Sequence, residues 1–416
     1  MAKSMVGSSI LVIANEIRDL LARGVEVANM TVGDFDPCEF PIPERLRELL
    51  LEAVEEGDTN YPPPAGLTEL RQAVRRHIAR TQGLDYPLDG IAIVSGGRPS
   101  LYSTYRLLVD PDDLVVVPVP SWNNHNYRDT CRVRLRVVHC GPETAFQPTA
   151  ELLRPHLAEA RLLVLNTPQN PSGGVMAREE VEAFGRLLVE ENERRRADGD
   201  KPLYLLYDQI YRSIVFSGHR HWSPVTLVPE CAPYVIHSDG ISKGLAGTGL
   251  RCGWLFGPPA IARKVVALLT HVGAWAPKPV QAATARLLAD EQAMAAWEEE
   301  MIRRVQSRLD VLRDGLAELR ADGLPVDFID PQGAIYLSVR FGVAGRRTAD
   351  GRVLRTNEDI RSWLLRRAAF AVVPFSAFGV EEEREDCWSR VSVGAVSVEQ
   401  IRRALPRLRR ALEELA

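Results

Sequence analysis

The six cysteines of this 416-residue chain, Cys38, Cys131, Cys140, Cys231, Cys252 and Cys387, include no CxxC pair. That argues against a zinc knuckle and against a disulfide framework. Excess basic charge is also missing: 51 Lys and Arg face 55 Asp and Glu, for a net charge of −4. Bulk attraction to a phosphate backbone is therefore disfavoured, and nucleic acid is not an expected partner. No apolar run approaches the roughly 18 residues that a membrane span needs, so no membrane association is expected. Residues 1–18 mix Lys3, Glu16 and Arg18 with a short apolar stretch. They lack the long core and small-residue cleavage site of a secretory signal. No segment repeats itself or is low in complexity. What remains is an ordinary globular composition, 45% hydrophobic and 25% charged, with the cytoplasm as the default compartment.

Short β-branched apolar runs alternate with helical patterns. Strands are expected at 91–95, 114–118, 134–139, 162–166, 203–208, 234–238 and 252–256. Several are apolar at consecutive positions, such as Leu114 to Val117, which suits strands covered on both faces. The fold class expected is α/β, with a mostly parallel seven-stranded sheet between helices such as 67–79, 99–108 and 178–194. The C-terminal third differs. Ile302, Val305, Leu309, Leu312, Leu316 and Leu319 form one stripe of a long amphipathic helix that stops near Gly323. A strand (334–340), a polar insertion (342–355), a helix (358–368) and a strand pair (370–373, 390–393) follow. The last helix opens with the capping-box spacing of Ser397 and Gln400, and Pro406 should interrupt and bend it. This region reads as a smaller α+β domain. The expected division is an N-terminal segment 1–45 packing with the small domain, a large domain 46–290 and a small domain 291–416.

Lys243 follows a strand on a short turn, at the end of a sheet where doubly wound folds place ligands. Alone, it reads as a surface loop lysine. Arg251 lies shortly after it in the glycine-rich string Gly247-Thr248-Gly249-Leu250-Arg251-Cys252-Gly253, and a guanidinium suits bidentate phosphate contact. Asp208 ends a strand, with Tyr211 three residues on; alone, Asp208 reads as a helix N-cap. Asn166-Thr167-Pro168-Gln169-Asn170-Pro171-Ser172-Gly173 closes another strand and reads alone as a turn. Ser95-Gly96-Gly97-Arg98-Pro99 joins a strand to a helix whose first N–H groups and dipole favour an anion.

In this order the motifs resemble the class I/II aspartate aminotransferase family, pyridoxal-phosphate enzymes of fold type I. The resemblance runs from about Thr31 to about Ala395. It rests on Tyr61-Pro62-Pro63-Pro64-Ala65-Gly66 followed by Leu70-Arg71, on Gly96-Gly97, on Pro120-Ser121-Trp122 and on Asn170-Pro171-Ser172-Gly173. Asp208 with Tyr211, Ser242-Lys243, Arg251 and Arg390 complete it. It implies a cofactor, pyridoxal 5'-phosphate, held by Lys243 as an internal Schiff base, with the freed amine shuttling a proton during catalysis. Asp208 would sit beneath the pyridine nitrogen and keep it protonated. Tyr211 and Asn170 would bond the ring's phenolic oxygen, and Trp122 would stack on the ring or, alone, be a core tryptophan. Ser242, Arg251 and the backbone at Gly97 and Arg98 would hold the phosphate. Tyr61 would reach the phosphate of a neighbouring subunit, which implies a homodimer. Arg390 would clamp the substrate α-carboxylate, with Gly33 as a backbone donor and Asn170 and Trp122 beside the substrate. No metal is implied.

The sequence departs from the family at Gln209, where a glutamate is commoner, and at Asn123, Asn124 and His125 after Trp122. That polar cluster reads equally as a pocket element or a helix cap. Arg98 is expected to face solvent, and His219 and His221 read as solvated loop histidines. The activity implied is transfer of an amino group between an amino acid and a 2-oxo acid. The alternative is a lyase, a β/γ-replacement or a cyclising enzyme on the same scaffold. A non-enzymatic regulator would carry a DNA-binding extension, and only about thirty residues precede the family match. No second arginine for a distal substrate carboxylate is assignable.

Overall fold

The computed structural model describes residues 9–122 and 124–415. Seven strands form the large sheet. In chain order after the short β1 (Ala28–Asn29) they are β2 (Ile91–Val94), β3 (Leu114–Val119), β4 (Arg134–His139), β5 (Ala160–Asn166), β6 (Tyr204–Asp208), β7 (Val235–Gly240) and β8 (Gly253–Phe256). Their order across the sheet is β2-β8-β7-β6-β5-β3-β4. β7, β6, β5, β3 and β4 run parallel, and β8 is antiparallel to both β7 and β2. The expected sheet is thus present with its seven strands. β3 is buried along its whole length, whereas β4 at the edge leaves Arg134 and Arg136 outside. Alternate side chains feed two apolar layers. Val116, Leu163 and Leu205 pack with the helices Thr68–Gln82, Arg178–Asp198 and Lys278–Ala289. Val115, Leu162 and Leu206 pack with Gly97–Leu108 and Pro259–Val272. Burial on both faces is what consecutive apolar residues require.

A second, antiparallel sheet has the order β12-β13-β10-β9, built from β9 (Val326–Ile329), β10 (Tyr336–Phe341), β12 (Val373–Pro374) and β13 (Trp388–Ser392). The strand expected at 370–373 is divided: β11 (Phe370–Ala371) pairs in parallel with β1, and β12 pairs with β13. The 31-residue helix Glu291–Ala321 links the two bodies, because Met294 packs on the large-sheet core while Val305, Leu309, Leu312 and Leu316 pack on the small one. The Ser397–Gln400 capping box forms in both directions. Pro406, however, does not break its helix, which runs through it from Val398 to Glu413. Proline removes one backbone donor there. The helix is held instead by burial of Ile401, Ala404, Leu408, Ala411 and Leu412.

Candidate active site

The parallel strands deliver their polar residues at one edge of the large sheet, around a cavity of about 200 Å³. β6 ends in Asp208 and β7 runs on into the one-turn helix Ile241–Gly244, which carries Lys243. Both side chains face the cavity. The Lys243 Nζ donates to the Gly33 carbonyl at 2.5 Å and lies 5.7 Å from the centre of the Tyr211 ring. Burial pushes its amine down to about 8, opposed by Asp34 and assisted by Arg390, Arg251 and Arg98. Asp208 moves the other way. Burial pushes its carboxyl up to about 7, Asp239 adds to the rise, and the Ile210 backbone N–H and Lys243 oppose it. A buried carboxylate so placed favours a cationic partner.

At the other end, Gly97–Leu108 points its N-terminus at the cavity. Gly96 precedes it at φ 79°, and a Cβ there would collide with the Arg251 guanidinium. Only glycine lets that side chain lie across the turn, where Arg251 donates to the carbonyls of Thr248 (2.8 Å) and Ser95 (3.0 Å). The Ser242 hydroxyl is buried beside it with no partner among the described residues. An unsatisfied buried hydroxyl, a helix N-terminus and an arginine together form a site for a phosphate-sized anion.

The remaining predicted residues divide. Trp122 and Asn170 line the cavity, as do Gly33, Tyr211, Gly97 and Arg98. Arg390, fully buried in β13, stands one bond behind the wall: its Nη1 donates to Asn170 Oδ1 at 3.0 Å and its Nη2 to the Thr31 carbonyl at 2.5 Å. Gly33 is pressed against it, since a Cβ there would lie 3.3 Å from Arg390 Nη1. Tyr61 lies apart from the cavity of its own chain. It is 83% exposed and packs edge-on against Trp275 at 5.4 Å. Arg98 is exposed as expected, yet its guanidinium lies 5.4 Å over the Trp122 ring at the cavity wall.

The polar cluster after Trp122, left open between pocket and cap, and the histidine expected to be solvated are both placed by local contacts. Asn124 is held by its neighbours and is not among the residues lining the cavity: it is buried, donates to Ser121 Oγ (2.9 Å) and accepts from the Tyr105 hydroxyl (3.3 Å). His125 turns its Nδ1 toward Gly379, away from the cavity; Asn123 lies outside the described residues. His221 is not solvated either. Its Nε2 meets Gln209 Oε1 at 3.3 Å, its Nδ1 is enclosed, and burial pushes the ring down to about 3. Gln209 in turn donates to Asp239 at 3.3 Å, and Asp239 accepts from Arg212 at 2.5 Å. At Gln209 the neutral amide bridges a histidine and a carboxylate that already has its arginine. A glutamate there would add a second buried negative charge.

Sequence reasoning passed over Asn166 and Tyr336. Asn166 Nδ2 donates to the Asp208 carbonyl at 3.0 Å, and its Oδ1 accepts from the Asn170 N–H at 2.9 Å. It therefore sets the relative height of two site residues. Its place at a strand end next to the Asn170 motif was the available signal. Tyr336 shares a hydroxyl–hydroxyl hydrogen bond with Tyr211, and nothing in its sequence context separates it from a core aromatic.

Comparison with known proteins agrees with this geometry. The family model "Aminotransferase class I and II" matches residues 25–408. An aspartate/prephenate aminotransferase of Thermus thermophilus is 30% identical, covering 99% of this chain and 97% of that protein. An aspartate aminotransferase of Rhizobium meliloti is 29% identical over 98% and 94%. A solved structure of the aspartate aminotransferase from Rhizobium meliloti superposes with a TM-score of 0.89 at 28% identity, covering 100% of this chain and 98% of that one. The Thermus thermophilus aspartate aminotransferase with maleate gives 0.86 at 27%, over 99% and 98%. With the two-sheet architecture, the polar strand ends and a match over nearly the whole length in hand, the chain belongs to the class I and II aminotransferases and moves an amino group between an amino acid and a 2-oxo acid.

Proposed function

We propose that this aminotransferase works with pyridoxal 5'-phosphate, seated between Lys243 and Asp208 and anchored through its phosphate at Ser242, Arg251 and the N-terminus of Gly97–Leu108. The observation that carries this reading is geometric: the Lys243 amine and the Asp208 carboxyl face one cavity whose other end is built by Ser242, Arg251 and the N-terminus of Gly97–Leu108, and burial moves the amine down to about 8 and the carboxyl up to about 7. A partnerless buried Ser242 hydroxyl waits at the anion end. Bound there, the cofactor supplies an aldehyde for amines and a ring that accepts the electron pair left when the substrate Cα–H bond breaks.

The chain's own residues do the rest. Asp208 holds a positive charge at the ring nitrogen, which removes the cost of its own buried charge. Lys243 Nζ, near-neutral in pKa, takes the proton from substrate Cα and returns it elsewhere on the same framework. Arg390, gripped by Asn170 and Thr31, fixes the α-carboxylate with its planar fork. Trp122 covers one face of the site, and Asn170 and Tyr211 direct polar groups toward the ring's phenolic oxygen.

For the amino donor we infer an acidic side chain. Arg98 stands exposed over Trp122 at the cavity wall and forms no ion pair among the described residues. It is the second cation that sequence reading did not find, and the relatives named above are aspartate aminotransferases. Arg98→Ala should lower kcat/KM for aspartate by roughly two- to fivefold relative to that for an uncharged amino acid. An unchanged ratio would remove the acidic-donor reading.

We also propose a homodimer. Tyr61 and Val272 are exposed, as are Leu51 and Val54 on the helix Glu44–Glu55. In a dimer Tyr61 would reach the partner's phosphate. The small domain is proposed to comprise residues 291–415 with the segment 9–45 packed against it, and the large domain residues 46–290; residues 1–8 and 416 of the expected division lie outside the described residues. The cysteines are free, four of them buried, which suits a reducing compartment, and we place the protein in the cytoplasm. The direct test of the cofactor reading is borohydride reduction of the protein loaded with pyridoxal phosphate, followed by peptide mapping. The label should fall on Lys243; a label elsewhere, or none, refutes it.

A further inference from the structure

We propose that Tyr336 is a positioning residue that couples the carboxylate clamp at Arg390 to the hydroxyl of Tyr211, so that Tyr211 bonds the cofactor's phenolic oxygen as a stronger donor. The inference rests on the cofactor reading above. Tyr336 opens β10 and is fully buried. Its hydroxyl bonds that of Tyr211, and its ring lies 4.8 Å from the guanidinium carbon of Arg390. Phe378 sits on the same guanidinium at the same distance, 4.8 Å. Arg390 is thus a cation held between two rings, with its Nε left without a partner among the described residues. Gly33 closes the group: a Cβ there would lie 3.0 Å from the Tyr336 hydroxyl. The three residues touch with no room between them for a side chain.

The direction of the chain follows from counting protons. A phenol carries one hydrogen and accepts on its lone pairs. Tyr211 cannot donate at once to Tyr336 and to a ligand. When Tyr211 turns its proton to the cofactor's oxygen, Tyr336 must become the donor in the phenol pair. Hydrogen bonds in series polarise one another, and the cation of Arg390 beside Tyr336 strengthens that phenol as a donor. A substrate carboxylate arriving on Arg390 offsets the cation. The hold of Tyr211 on the cofactor oxygen then weakens as the substrate docks. The charged groups facing the pair are Arg390 and Asp34 at Tyr336, and Arg390 and Asp208 at Tyr211. The Lys243 amine lies over the Tyr211 ring. Burial raises both phenols, so both keep their protons at working pH. Asn170 gives Arg390 a separate, direct link to the cavity wall, and the phenol pair is a second one.

The bland alternative is a core aromatic whose hydroxyl is merely satisfied. Tyr336→Phe separates the two because it keeps the ring on Arg390 and removes only the donor. The experiment titrates the visible absorption of the loaded enzyme against pH for wild type, Tyr211→Phe and Tyr336→Phe, with and without saturating maleate as an unreactive carboxylate. A weaker donor to the phenolic oxygen raises the midpoint. Tyr336→Phe should shift it upward by roughly 0.5–1 pH unit, less than Tyr211→Phe, and should at least halve the maleate-induced change. KM for the amino donor should move less than about threefold, since the ring remains. Replacing Tyr336 by 3-fluorotyrosine, a more acidic phenol, should shift the midpoint downward, and this variant serves if Tyr336→Phe folds poorly. A Tyr336→Phe or fluorotyrosine titration that overlays wild type, while Tyr211→Phe is displaced, overturns the proposal. A wild-type protein with no visible transition at all would instead overturn the cofactor reading beneath it.

Discussion

The two sheets bring chemistry to the same cavity by opposite routes. In the large sheet, polar groups sit where strands end: Asn166 closes β5, Asp208 closes β6, and Lys243 follows β7 by one turn. In the small antiparallel sheet they sit on a face. The β10–β13 register pairs Ser338 with Arg390 and Tyr336 with Ser392, and all four are fully buried. Ser338 Oγ donates across to the Ser172 carbonyl at 3.1 Å, so this polar face rests on the Asn170–Gly174 loop. Parallel strands buried on both sides have only their ends free for function. An antiparallel sheet with one covered face can hide function in mid-strand. On the function proposed above, the ends would carry the electronic machinery and the face would carry substrate capture. Substitutions in the two places should therefore fail differently.

Loss of Lys243 should have the largest effect. If Lys243 is the covalent anchor and the base, as proposed, Lys243→Ala should lower turnover by roughly ten-thousandfold or more. Stopped-flow assays of the half-reaction should show no proton transfer even with cofactor in excess. The same lysine predicts a pH dependence. With an amine at about 8, cofactor capture by the stripped protein should speed up as pH rises from about 6 and level off above about 8, because only the free amine attacks an aldehyde. A rate flat across that window would contradict the burial argument.

Asp208 ranks next and splits function from stability. Asp208→Asn should lower kcat by roughly a thousandfold, because the ring nitrogen loses its partner charge. In the cofactor-free protein the same change should stabilise. The carboxyl is raised to about 7 in the fold, against roughly 4 in an unfolded chain. Its contribution is fully present below about pH 4 and is lost as pH rises through about 7. The gain of Asp208→Asn over wild type should thus grow from near zero at about pH 4 to a few kcal/mol, in order of magnitude, at about pH 8. Urea unfolding of both proteins across that range measures it. A difference independent of pH would mean the carboxyl is not held neutral by burial.

A capture residue should behave otherwise. Arg390→Lys leaves the large-sheet machinery in place, so the bound-cofactor bands should persist, with at most a shift of their pH midpoint carried through Tyr336 and Tyr211. Lysine cannot match both carboxylate oxygens or keep the bonds to Asn170 and Thr31 together. Steady-state kinetics should show kcat/KM down by roughly a hundredfold, mostly through KM, with some loss in kcat from misplacement of Cα. A spectrum altered as much as in Asp208→Asn would erase the distinction between ends and face.

The contrast also explains what the sequence disclosed. Strand-end residues stand out because a polar residue abruptly stops an apolar run, as at Leu205-Leu206-Tyr207-Asp208. The seven strands were legible for the same reason, and the long helix through its stripe from Val305 to Leu319. Face residues give no such break. Tyr336 sits in an alternation that any half-buried strand shows, and only the register against β13 sets it on Arg390. Asn124 and His125 looked polar enough for a pocket, yet local bonds to Ser121 and Tyr105 absorb the first, and packing on Gly379 fixes the second. His221 misled because its string, Ser217-Gly218-His219-Arg220-His221, is loop-like in composition, while the ring folds back over Tyr207 at 5.8 Å. Pro406 misled in the other direction, since tertiary burial outweighed a local breaker.

The smallest effect is expected where neither sheet is involved. Tyr61 stands on a loop, 83% exposed and packed edge-on against Trp275. In a homodimer its hydroxyl would add one donor to a phosphate already held by Arg251, Ser242 and a helix N-terminus. One hydrogen bond to a charged group contributes about 1.5–3 kcal/mol, and solvent access at an interface rim brings it toward the lower value. Tyr61→Phe should therefore weaken cofactor affinity by roughly tenfold while leaving kcat of the saturated enzyme within about twofold of wild type. Its ring should still cover Trp275, so the dimer measured by light scattering should persist. Tyr61→Ala exposes Trp275, and there the affinity loss should be accompanied by a shift toward monomer at low protein concentration. If Tyr61→Phe binds pyridoxal phosphate as tightly as wild type, the residue contributes only packing. The phosphate site would then be complete within one chain.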